Sequence, residues 1–236
     1  MAAPGDPTPP TPHASAVQAA EPPSPERVTL PPPVTPPQAP PTRRGVALDS
    51  VLAALVLGFA FLVASAPAHN SDLWLHLAAG RDLLAGRYHL GSDPYAQDTQ
   101  GVYWANTNWL YDLLNYLAFR AAGGLDGRGG AALVLLKALL TTALAAVLLR
   151  LGWCGRGLWA PAVGAAWAVL VLCPWLAPHP MVVSYLFLAL TLVFLERPHR
   201  RGESGRVSFA AYWPLLPLFV LSVNLDAWFL LGPLAV

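Results

Sequence analysis

Charge is what this chain lacks most. Of its 236 residues only 11% are charged, less than half of the roughly 25% usual in soluble domains. With 55% hydrophobic residues and a mean hydropathy of +0.47, that scarcity points to a membrane. The net charge is +1, so no overall basic or acidic field calls for nucleic acid or an acidic partner. Cysteine is nearly missing as well: Cys154 and Cys173 are the two present. On one helix, nineteen residues at 1.5 Å each would part them by roughly 28 Å, beyond the reach of a disulfide. They read as small apolar residues, not as a redox pair or a metal site.

Proline is abundant, and unevenly spread. Residues 1–44 hold fifteen of the 25 prolines, in runs such as "PPPVTPPQAPP", with little that can form a core. A disordered, partly polyproline II tail is expected there. From residue 45 on, the composition predicts an all-α, polytopic membrane bundle of about five to six spans. They are placed near 46–66, 131–151, 158–177, 181–195 and 209–223, with the start of another at 227–236. "ASAPA" after the first apolar run resembles a signal-peptidase site, but the long tail before it and the spans behind it favour an uncleaved helix. Arg43 and Arg44, then Arg150 and Arg156, then Arg197, Arg200, Arg201 and Arg206 fall on one side if each run crosses once. That asymmetry puts the N-terminus in the cytoplasm and the loop 67–130 outside.

The loop is where chemistry is expected. In "NWLYDLLNYLAFRAAGG", Asn108, Asp112 and Asn115 share one face among leucines and a tryptophan, which predicts an amphipathic helix lying in the interface plane. Were Asp72–Leu84 helical, Asp72 and His76 would stand one turn apart, with Ala79 and Gly80 leaving room for a ligand. A carboxylate beside an imidazole at the outer surface suits activation of a hydroxyl or binding of a divalent metal on a phosphate. The plainer alternative is an acid favoured by the helix dipole, with Trp74 anchoring the loop. Lys137, about 9 Å below the outer end of the second span, reads as a carrier-phosphate ligand or as a snorkelling lysine. His179 in "PWLAPHP" is a second phosphate-ligand candidate or an ordinary loop histidine.

The segments "SDLWLHLAAGRDLLAG", "SDPYAQDTQG" and "YWANTNWLYDLLNYLAF" resemble a family of uncharacterised bacterial multi-pass proteins. "HPMVVSYLFLALTLVFLER" and "SVNLDAWFLLGP" extend the resemblance to residues 48–233. That family is similar in outline to membrane glycosyltransferases of the GT-C type, which draw a sugar from a polyprenyl-phosphate carrier. The resemblance implies transfer at the extracytoplasmic face of a bacterial plasma membrane, with Asp72 as base or metal-anchoring carboxylate. Trp104 in the loop joins Lys137, His179 and Asp226 as a substrate-binding candidate. Two positions depart from the pattern: Thr107 and Asp226 stand where such relatives often carry histidine. Asp226 is then expected as a second carboxylate facing Asp72, and Asp82 as a silent neighbour. Fewer spans than a GT-C fold generally has imply a truncated member. A non-catalytic polytopic protein is the alternative. A transporter fits less well, because its polar groups would lie near the midplane.

Overall fold

The structure is a computed structural model. It describes residues 43–67, 72–89, 91–95, 102–153, 157–176, 178–200 and 212–236, all within the unit Pro41–Val236. The predicted tail lies outside the described residues except for Arg43 and Arg44, which open the first helix. Helices joined by turns and loops make up the described residues, with no strand among them.

Helix α1 runs Arg43–Ala64, α2 Asp72–Leu84, α3 Trp109–Ala121, α4 Gly129–Gly152, α5 Trp159–Leu172, α6 Met181–Arg200 and α7 Leu215–Leu225. Local sequence explains most boundaries. Gly86 (φ +67°) takes the left-handed conformation just after α2, and Gly157 (φ +97°) does so just before α5. Pro174 turns the end of α5 into the 3-10 turn Cys173–Trp175, and Pro214 stands at the N-cap of α7. Residues 227–236, read from sequence as the opening of another span, fold as two 3-10 turns, Phe229–Leu231 and Pro233–Ala235. Gly232 between them packs on Phe219 and Thr191.

Two helices are long and apolar enough to cross a membrane, Gly45–Ala64 and Gly129–Gly152. Trp159–Trp175 and Leu215–Leu225 are apolar but fall short of the twenty residues a perpendicular crossing takes. Only 11% of the apolar window of α1 is buried inside the protein. Leu48, Val51, Leu55 and Leu62 all face outward.

Long-range polar contacts fix which helix ends meet. Asp49 near the start of α1 accepts the backbone N–H of Leu158, the residue just before α5, at 2.9 Å. Beside it Gly152, at the end of α4, lies against Pro161 of α5. At the other end Lys137 of α4 donates to the Ala66 carbonyl just past α1, at 2.8 Å. Trp109 of α3 donates to Asn224 of α7 at 3.0 Å, and Asn108 accepts the N–H of Ala227 at 3.1 Å. A core of Val56, Ala60, Ala145, Leu149, Ala162, Ala165 and Val169 fills the space between α1, α4 and α5.

The loop helix α3 departs from its expected setting. Its polar stripe faces the protein: Asp112 and Asn115 are buried, while Leu114 and Leu117 are exposed. The reason is in the partners. α3 packs along α2 and also meets α4 and α7; His76 of α2 and Asn106 of the preceding loop engage Asp112, and Asn115 donates to the Tyr111 carbonyl of α3 itself.

Candidate functional site

The polar side chains gather at the end of the bundle where α1 finishes and α4 and α6 begin. Around them the helix sequences leave few other polar groups, so each buried one must find a partner. Asp112, 2% exposed, is the centre. Its Oδ1 meets Nδ1 of His76 at 2.6 Å, and its Oδ2 accepts from Nδ2 of Asn106 at 2.6 Å. Asn106 is itself placed by the loop: its backbone N–H donates to the Tyr88 hydroxyl at 3.2 Å, and its Oδ1 accepts from the N–H of Asn108 at 2.9 Å.

The helices that carry this pair approach closely, and glycine is why. A Cβ at Gly80 would run into the carbonyl of Asp112 and the Cβ of Tyr116. The space expected to admit a ligand is therefore filled by α3. Gly80 serves helix contact, and it brings Asp112 within reach of His76 one turn away on α2.

The imidazole of His76 stands edge-on to two other rings, Tyr111 with centroids 5.3 Å apart and His179 at 6.2 Å. Burial, together with the charges of Asp112 and Asp226, pushes the Tyr111 phenol well above its ordinary value. Tyr111, Asn115, Lys137 and His179 line a small cavity of about 10 Å³, room for about one water.

The sequence-predicted residues are thus brought together in part. His76, His179 and Lys137 share one neighbourhood. Asp72 is exposed in the first turn of α2, and the buried carboxylate that engages His76 is Asp112 instead. Asp226 is buried and accepts the Ser184 hydroxyl at 2.5 Å. Trp104 is half-buried, exchanges backbone hydrogen bonds with Gly91 at 3.1 and 3.3 Å, and sets its ring against Tyr88. Thr107 is exposed and donates to Asn108 at 3.3 Å.

Asp82 is far from idle. Its carboxylate receives Arg87 at 2.6 Å, Arg81 at 3.3 Å and the Tyr95 hydroxyl at 3.0 Å. Partial burial works against ionisation, but these bonds outweigh it and hold Asp82 below the usual carboxylate value of 3.8. Burial and the Asp82 charge raise the Tyr95 phenol.

Asp112, Asn106, Asn115, Tyr111 and Ser184 were missed as site residues. The signal for two of them was present in the α3 stripe; its direction was not. Among the described residues no group of three or more His, Cys, Asp or Glu side chains is close enough to hold a metal ion. No family model, curated protein or solved structure matches the chain.

Proposed function

We propose that the chain is an integral membrane protein of five to six spans that transfers a sugar from a polyprenyl-phosphate donor. In this reading the N-terminus is cytoplasmic, and the polar end of the bundle faces the extracytoplasmic side of a bacterial plasma membrane. The observation that carries the membrane half is an inverted distribution of polarity. His76, Asp112, Asn115, Lys137, Thr141 and Asp226 are buried, while Leu62, Trp167, Val171, Trp175, Leu216 and Val220 are each more than 60% exposed. A soluble protein of this size would bury such residues. Lipid accepts them, and it forces the polar groups inward.

The transferase half rests on the resemblance to GT-C enzymes and on Asp72, exposed at the head of α2, eight residues past the end of α1. There it is open to a donor as base or as the carboxylate of a divalent ion. The test is transfer from a panel of polyprenyl-phosphate hexoses by the chain in lipid nanodiscs. Asp72→Asn lowers the rate at least about 100-fold, a loss of about 2.7 kcal/mol of transition-state stabilisation. Asp126→Asn, at an exposed turn, leaves it unchanged. Equal rates for Asp72→Asn and wild type, with both inserted, would defeat the reading.

A non-catalytic role for the fold has one observation in its favour. The cavity among the buried polar groups takes about one water, and among the described residues every buried side-chain nitrogen and oxygen is satisfied. On that reading the His76–Asp112 pair holds α2 to α3, and its loss lowers thermal stability alone.

A further inference from the structure

We infer that the trough between α5 and α6 holds the hydrocarbon chain of a membrane phospholipid. The inference rests on the membrane half of the reading above and not on its transferase half. Its starting point is a gap in the packing. α5 and α6 follow one another in the chain and each packs along α4, yet they scarcely touch one another. What lies between them is a trough of about 430 Å³, with Leu144 and Leu148 of α4 as its floor. Trp167 and Ala168 stand on the α5 side, Tyr185 and Ala189 on the α6 side. The two alanines fill little of the space that larger side chains would close. Apart from one hydroxyl and one indole N–H, the side chains that line the trough are hydrocarbon.

Polarity, depth and width select the occupant. A water or a polar solute needs several hydrogen-bond partners, and the trough does not supply them. Along α4 it begins two turns past Lys137 and ends one turn before Gly152. It therefore lies at mid-depth, where a lipid headgroup would be stranded and a lipid chain is at home. Width then separates a chain from a helix. Tyr185 to Leu192 runs about 10 Å along α6, and over that length the volume gives a cross-section of about 40 Å². A helix with its side chains is about 10–12 Å across, or about 80–110 Å², too thick to enter. Carbons touch at about 3.5–4.0 Å, so a hydrocarbon chain is about 4–5 Å wide and fits.

The same geometry separates a seated chain from bulk lipid. Against Leu55 and Leu62 of α1, 64% and 72% exposed, a chain meets one convex helix. In the trough it meets three helices at once and makes more van der Waals contacts over the same length. A chain seated there also supplies the contact that α5 and α6 lack.

The experiment uses the full chain in phosphatidylcholine vesicles that carry a trace of the same lipid with a diazirine midway along one acyl chain. After irradiation, digestion and mass spectrometry read where the label falls. The expected label is concentrated on residues 144–148 and 185–192 and sparse at Leu55 and Leu62, although those two are the more exposed. Label that follows exposure alone, heaviest on α1, overturns the inference. Ala168→Phe fills the trough, so label there falls several-fold while label on α1 stays. Val163→Phe, which puts the same ring on the exposed side of α5 outside the trough, changes neither. Undiminished label in Ala168→Phe overturns the inference too, as does an unlabelled trough in a chain that cross-links to a second copy through Trp167. The wild-type map decides even where a variant fails to fold. Alkaline carbonate separates the two readings: a chain stripped from the vesicles defeats the membrane reading and the trough with it, whereas an inserted chain whose label follows exposure defeats the trough alone.

Discussion

Among single residues, two aspartates ten apart on α2 stand in different settings: Asp72 is exposed in the first turn, and Asp82 is tied to the residues after the helix. Asp82, expected to be inert, gathers Arg81, Arg87 and Tyr95 and so joins α2 to the loop that follows it. Its carboxyl is held below 3.8 in the folded chain. A depressed folded value means stabilisation that is present above the unfolded value and lost as pH falls through the folded one. Protection factors of the amides of Arg87, Gly91, Ser92 and Tyr95 are therefore expected to hold at pH 6 and to fall below about pH 3.8; Asp82→Asn should show the lowered protection at both. Protection that is independent of pH in the wild type would show that the charge does not hold the loop. Asp72 is legible as an exposed acid after a span. Asp112 is legible only as a member of a stripe, because spacing identifies a helix face and not what that face meets.

Helix positions were largely written in the residues. The helix from Asp72 to Leu84 appears as expected, and the loop helix begins at Trp109, since apolar periodicity and flanking glycines act locally. What escaped is contact between helices. In sequence Gly80 is a small residue beside Ala79, equally suited to a ligand or a neighbour, and only the approach of α3 decides between them. Gly80→Leu is expected to push α2 from α3, part His76 from Asp112 and cost about 1–3 kcal/mol or more. Thermal unfolding in detergent measures it: a midpoint equal to wild type would show that the helices are not packed through this glycine. The last apolar segment, residues 227–236, also escaped, because a run containing Gly232 and Pro233 satisfies a hydropathy count while its backbone takes 3-10 turns.

For the molecule as a whole, the inverted polarity and the arginines speak to the same axis. Asp49 bound to Leu158 and Lys137 bound to Ala66 join the starts and ends of helices at opposite ends of the bundle, which is what alternate crossings require. Cysteine labelling of intact cells is expected to reach Asp93→Cys from outside, and Gly205→Cys only after the inner face is opened; the reverse pattern would invert the topology. The same contacts bear on how such a chain is made. The partners are distant in sequence: Asp49 waits 109 residues for Leu158, and Trp109 waits 115 for Asn224. At ordinary rates of synthesis that first interval lasts roughly 5–20 s. Throughout it the Asp49 carboxylate lacks this partner, as it does in any product stalled before α5. An unfinished chain thereby differs from a finished one by an acceptor still waiting for its donor.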